Sequence, residues 1–212
     1  MVDYKRYPEA LEVIRLPKPQ AEGGEALWQV IARRRSERDY RAEPLALDQL
    51  SQLLWATQGI TGRIEGYELR ASPSAGALYP CETYLVVNRV SGLRAGLYHY
   101  VVPDHALERL KEADLAHGIA DACWGQQMCA RAGAVFVWSA VIERCRWKYG
   151  ERAFRYIYLD AGHIGAQLHL ACVALGLGCC AIGAFNDDKV NELVGLDGEE
   201  EFAIYLSSVG NL

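Results

Sequence analysis

The 212-residue chain has no apolar run near the roughly 20 residues that cross a bilayer. Its first twenty residues, MVDYKRYPEALEVIRLPKPQ, are too polar for a signal peptide. Both absences point away from a membrane and towards a soluble, cytoplasmic protein. CxxC does not occur, and none of the five histidines stands at zinc-like spacing from a cysteine, so no metal site is expected. The seven cysteines are an odd number and read as buried thiols acting as small hydrophobes. Cys179 and Cys180 are adjacent, but strand neighbours point to opposite faces, so the pair is read as structural. A basic surplus is also missing: 22 Lys and Arg against 27 Asp and Glu leave a net charge of -5. With no basic stripe, nucleic acid is not an expected partner. There are no repeats and no low-complexity linker.

What is present is a hydrophobic fraction of 51%, enough for a core and for an apolar interface with a second copy. Residues 1–22, with three prolines before Gln20, read as an extended arm, and 23–212 as a single domain. Helices are expected over about 24–35, from after Pro44 to near Gly59, over KEADLAHGIADAC, over about 155–175 and over NDDKVNELVG. Strands are expected at ETYLVV, GAVFVWSAV, GCCAIGAF and EFAIYLSSVG, with a hairpin across GLYHYVV and HALERL. GRIEGYELRASPSAGALYP reads as a long turn-rich stretch, and RCRWKYGERAF as a charged connector. Helices and strands mix without a βαβ rhythm, which favours α+β. On the apolar 155–175 helix, Asp160, His163 and Gln167 form a polar stripe read as structural. Gly162, Gly165 and Ala166 there would admit another backbone.

IARRRSERDY, residues 31–40, crowds positive charge into an acidic chain. Leu27, Val30 and Ile31 stand at i, i+3, i+4, and i+7, i+8 and i+11 fall on Arg34, Arg35 and Arg38. At about 100° per residue, Arg34 and Arg38 share the meridian of Leu27 and Ile31, while Arg33 does not. If the helix persists, guanidinium groups follow the apolar stripe inward and need an anionic partner. The alternative is a frayed helix end with its arginines in water.

Four segments in order, RRSER, SPSAGALYPCETYLVV, KYGERAFRYIYLDAGH and GLGCCAIGAF, resemble the nitroreductase-like FMN flavoproteins. The closer resemblance is to the SagB-type dehydrogenase branch, which includes azoline oxidases. It runs from about Tyr4 to Gly210. The resemblance implies an α+β fold with a central, mostly antiparallel sheet flanked by helices. It also implies an intimate homodimer with FMN at the interface.

By that resemblance, Arg34 and Arg35 match the phosphate and ribityl contacts, Ser36 a hydroxyl donor beside them, and Arg38 a cation near the flavin pyrimidine edge. Pro73, Ser74, Ala75 and Gly76 match the loop passing close to the isoalloxazine. Ile182, Gly183 and Ala184 match the segment whose backbone lies near N5. Lys148 and Tyr149 match the lysine–tyrosine pair that assists proton removal in the azoline oxidases; a solvated basic connector is the other reading. A lysine base needs its pKa lowered by burial or by neighbours such as Arg144, Arg146 and Arg152. Ala77 and Tyr79-Pro80 stand where nitroreductases often carry an asparagine. Family phosphate ligands after the last strand have no counterpart in a chain that stops two residues past Gly210, which would shift that work to Arg34 and Arg35.

Three functions stay open on the sequence. One is an FMN dehydrogenase acting on a small molecule or peptide. Another is a reductase of nitro compounds or quinones taking hydride from NAD(P)H, for which a missing GxGxxG decides nothing. The last is a flavin-binding partner subunit without catalysis.

Overall fold

The structure is a computed structural model and describes residues 4–212. Nine strands and seven α-helices are seen among them. In chain order these are β1 (Glu12–Arg15), α1 (Leu27–Arg33), α2 (Leu47–Gln58), β2 (Ile60–Ile64), β3 (Tyr67–Arg70), β4 (Cys81–Val87), β5 (Gly96–Val101) and β6 (Ala106–Glu112). They continue with α3 (Ala116–Ala122), α4 (Met128–Arg131), β7 (Ala134–Val141), α5 (Glu143–Tyr149), α6 (Ala153–Ala174), β8 (Leu177–Ile182), α7 (Asp187–Val194) and β9 (Glu201–Asn211). Seven strands form one sheet in the order β1-β6-β5-β4-β7-β9-β8, and every ladder in it is antiparallel. β2 and β3 form a separate hairpin.

β4 and β7 hold the centre because both their faces are apolar. Cys81, Leu85, Val87, Phe136 and Trp138 enter one core, which also contains Leu50, Leu53, Leu54, Ile164 and Leu168 of α2 and α6. Tyr84, Val86, Val135 and Val137 enter the other, with Ile119 of α3 and Val190 of α7. The sheet is therefore sandwiched between two helical layers, as continuous apolar strands require. Cys179 faces the first core and Cys180 the second, as alternation along β8 dictates.

Four expectations need correction. The arm carries β1, whose ladder with β6 makes it an edge strand of the sheet. The turn-rich stretch contains the β2–β3 hairpin, and the charged connector is helical over α5. The fourth concerns α1, which stops at Arg33: Arg34 has ψ 122°, although its amide still bonds the Val30 carbonyl. Beyond it the Glu37 amide bonds the Cys179 carbonyl at 2.9 Å and the Arg41 amide bonds the Asn211 carbonyl at 2.9 Å. These bonds to the β8 and β9 end of the sheet outcompete another helical turn and cover an exposed edge. Leu27 and Ile31 are exposed and only Val30 of α1 is buried, so the stripe does not lead the arginines inward.

Candidate cofactor and reaction site

The loop before β4 is held from α6. Asp160, 4% exposed, accepts from Ser74 Oγ at 2.6 Å and from the Ala75 amide at 3.1 Å. Ser74 Oγ in turn accepts from the Tyr79 amide at 2.9 Å, and Gln167 Nε2 donates to the Ala71 carbonyl at 2.8 Å. Two members of the polar stripe thus fix the loop, while His163 is exposed. Burial raises the Asp160 carboxyl above its ordinary range, against the lowering effect of the Ser74 and Ala75 bonds. The loop itself is tightly wound, with Gly76, Ala77 and Tyr79 all at positive φ (65°, 52° and 47°). Only glycine is free there. A Cβ built on Gly76 would stand 2.6 Å from both Lys148 Nζ and Tyr149 Oη. Pro73–Gly76 and the Lys148–Tyr149 pair are therefore one cluster.

Lys148 lies at the end of α5 and is exposed, with its ammonium 5.4 Å from the Tyr149 ring centroid. The neighbouring charges are turned elsewhere: Arg144 pairs with Glu82 at 2.5 Å and Arg146 with Glu143 at 3.2 Å. The burial expected of a lysine base is not supplied by one chain alone. A groove of about 880 Å³ opens beside Gly76 and Lys148, walled by Ile64 and Tyr67 of the hairpin and by Trp147.

Beneath the loop runs a buried charge network that the sequence reading missed. His99, 1% exposed, places Nε2 3.0 Å from Glu82 and Nδ1 3.0 Å from Glu108. Arg70, also buried, stacks on Tyr79 with its guanidinium 4.7 Å from the ring centroid. Burial would raise the Glu82 carboxyl, but the His99 hydrogen bond and the charge of Arg144 outweigh it and bring it down to about 2. The legible signal was polar residues inside apolar strands: Glu82 opens ETYLVV and His99 interrupts GLYHYVV. Such groups are kept only where partners satisfy them.

A second cluster gathers at β8. Arg33 pairs with Glu25. Arg34, Arg35 and Arg38 have no carboxylate partner among the described residues; Arg35 and Arg38 reach only the backbone carbonyls of residues 32, 34 and 36. Ser36 lies between them, exposed. Arg38 is near enough to Cys180 to offset part of the upward push that burial gives its thiol. Ile182 ends β8 opposite Leu206, and Gly183 and Ala184 follow, both exposed. The Ala184 carbonyl accepts from Gln126 Nε2 at 2.9 Å. No hydrogen bond engages the Gly183 or Ala184 amide among the described residues. A set of unpaired guanidinium groups, a hydroxyl and open backbone amides has the donor chemistry for a phosphate and a heterocycle edge.

Both clusters border the same helix. α6 connects them: Asp160 holds the loop at one end, and His169 and Cys172 stand beside Arg35 at the other. No helix of the described residues is long and apolar enough to cross a membrane, and no group of three metal-ligating side chains occurs among them.

The chain is similar to a protein of Methanocaldococcus jannaschii named as a nitroreductase, with 36% identity over 87% of this chain and 90% of that one. It is 31% identical to the trifolitoxin-processing protein TfxB of Rhizobium leguminosarum over 72% of its length, which is 44% of TfxB. A crystal structure from Anabaena variabilis, also named as a nitroreductase, superposes with a TM-score of 0.84 at 32% identity. That match takes in 99% of this chain and 43% of that one. The nitroreductase family model matches residues 31–211, so the chain belongs to the nitroreductase family.

Proposed function

We propose that the chain is an FMN-dependent oxidoreductase of the SagB-type dehydrogenase kind, moving hydride between a donor and an acceptor through flavin N5. The carrying observation is the arginine cluster: three guanidinium groups without a carboxylate partner, set against β8 in an acidic protein. Arg34 and Arg35 would hold the phosphate and ribityl chain, Ser36 would add a hydroxyl, and Arg38 would face the pyrimidine edge. The open Gly183 and Ala184 amides following Ile182 are suited to the ring edge. Bound FMN would supply the two-electron chemistry, accepting a hydride from one substrate and returning it to another.

The remaining work falls to this chain. The loop of Pro73, Ser74, Ala75 and Gly76 would pass its backbone along the ring while Asp160 keeps it in place. Lys148 Nζ and Tyr149 Oη, side by side at Gly76, would take the proton from the atom next to the carbon losing hydride. In a homodimer the partner's surface would enclose Lys148, withdrawing water and making it a better base. The donor is a small molecule or a peptide; the name of the TfxB relative favours a peptide. The nitroreductase name of the archaeal relative favours a second version, in which NAD(P)H is the donor.

The test has two stages. Purified protein should release FMN, not FAD, about one per chain; protein that neither carries nor takes up FMN would overturn the proposal. Anaerobic stopped-flow reduction then separates the versions. Lys148→Ala should slow reduction by a C–H donor by about 10²–10⁴-fold, the contribution of a positioned base, and leave reduction by NAD(P)H nearly intact. Equal rates for Lys148→Ala and wild type with the C–H donor would remove the proton-transfer role.

A further inference from the structure

Arg70 closes β3 at the foot of the hairpin and is 6% exposed. Its guanidinium stays charged at any working pH. No carboxylate stands within ion-pair distance of it among the described residues. The two whose charge reaches it are engaged elsewhere. Glu82 holds Arg144 at 2.5 Å and His99 at 3.0 Å, and Glu68 holds Arg63 at 2.6 Å and the Tyr4 hydroxyl at 2.5 Å. The charge of Arg144 opposes that of Arg70. Arg70 Nε makes no hydrogen bond, and Nη1 reaches the Gln58 side-chain oxygen at 3.2 Å. A buried charge so poorly paired is costly, and its contacts show what it is kept for.

Those contacts are aromatic. The guanidinium carbon lies 4.7 Å from the Tyr79 ring centroid and 5.4 Å from that of Tyr4. A cation held against a ring away from water is strongly attracted to it. The backbone adds a second grip, because the Arg70 amide donates to Tyr79 Oη at 3.1 Å. Tyr79 is buried and holds φ 47°, a conformation that a residue with a Cβ keeps only under outside constraint. Its amide donates to Ser74 Oγ at 2.9 Å, and its carbonyl accepts from Arg144 Nη1 at 3.4 Å. Ser74 is tied to Asp160, and Arg144 stands one turn before Lys148 on α5. The ring, amide and carbonyl of this one residue join the hairpin, the loop and the helix that carries Lys148.

The geometry points to Arg70 as a positioning residue: it grips the ring of Tyr79, and through Tyr79 it sets the Pro73–Gly76 loop against the Lys148–Tyr149 pair. What the loop then does for catalysis rests on the proposed oxidoreductase function. The grip itself belongs to this chain alone and can be measured with or without flavin. Its natural reporters are the amides of the loop: Ala75 bonded to Asp160, Ala77 to the Ser74 carbonyl, and Tyr79 to Ser74 Oγ.

The experiment is hydrogen exchange of the full chain, as purified and again after FMN is added, read by mass spectrometry on a peptide covering residues 71–79. Arg70→Met removes the charge and keeps an apolar side chain. It should speed exchange of this peptide at least about tenfold and leave peptides from β7 and β9 at wild-type rates. Arg70→Lys keeps a cation over the ring and should stay within about threefold of wild type. Tyr79→Leu should match Arg70→Met, and the double variant should exchange no faster than either, because both break one link. In protein carrying FMN, the visible circular dichroism of the flavin should change in Arg70→Met and return in Arg70→Lys. Wild-type exchange of the peptide in Arg70→Met would overturn the proposal. So would effects that add in the double variant, or an Arg70→Lys protein exchanging as fast as Arg70→Met. If Arg70→Met does not fold, Tyr79→Leu decides on the same peptide, and exchange at the wild-type rate there overturns the proposal. Faster loop exchange in a protein that takes up no FMN would uphold the grip of Arg70 and remove the flavin reading instead.

Discussion

Arg33 and Arg34 are neighbours of the same type with different surroundings. Helical phase does not separate them, since α1 ends at Arg33 and its apolar meridian faces outward. They remain distinct because Arg33 is paired with Glu25, whereas Arg34, half-buried, has no partner among the described residues. Arg34→Ala should therefore weaken FMN binding by roughly 1.5–3 kcal/mol, the worth of a charge-assisted bond to phosphate, or tenfold and more in affinity. Arg33→Ala should change it little. Flavin fluorescence titration decides, and equal losses would mean that Glu25 is not what distinguishes them. The sequence showed that cations gather here. Which one is unpaired depends on a carboxylate eight residues away and on where the helix stops, and a bond to a distant strand sets that stop.

At the scale of elements, the long or continuously apolar segments were legible: α6 over Ala153–Ala174, α2 after Pro44, β4, β7 and β9. Their pattern is local and strong enough to survive any tertiary context. The β2–β3 hairpin was not legible, because IEGYEL carries turn residues and exposed apolar side chains with no buried face to impose a period. The network of Glu82 on β4, His99 on β5, Glu108 on β6 and Arg144 on α5 was equally hidden, because it exists only when four elements meet. It makes a pH-dependent contribution. The Glu82 carboxyl is held at about 2, below its ordinary 4.5, so the folded state favours its ionised form. That stabilisation is complete above 4.5 and is lost as pH falls through about 2. Glu82→Gln should cost about 3–5 kcal/mol at neutral pH, as for one partner removed from a buried pair. The gap to wild type should narrow steadily below pH 4.5. Urea unfolding of both proteins at pH 7, 4 and 2.5 would show it, and a gap unchanged at pH 2.5 would mean that burial, not charge, sets the cost.

At the scale of the molecule, the two candidate clusters sit on opposite stretches of α6, which raises the question of what completes each. Two helices expose large apolar side chains. Leu27, Trp28 and Ile31 of α1 and Tyr158 and Leu159 of α6 are 47% to 78% exposed, and α1 packs against α6. On the same side of α6, Gly162 has nothing within 4 Å of where its Cβ would stand. Gly165, expected to admit another backbone, instead faces a side chain: a Cβ built there would stand 2.6 Å from the Tyr205 ring of β9. Single exposed apolar side chains are ordinary, but five on two contacting helices are exposure of the kind found at an interface. If two copies meet across it, the loop cluster of one chain and the arginine cluster of the other can share one site. The 212-residue chain should then sediment at twice 23.5 kDa. A charge placed at the patch, as in Leu159→Glu, should yield monomer, and the monomer should lose FMN although none of Arg34, Arg35, Ser36 or Arg38 is altered. Circular dichroism would establish that the monomer is folded. A folded monomer that keeps FMN at wild-type affinity would show that one chain completes the site, and the enclosure of Lys148 would then have to come from substrate instead.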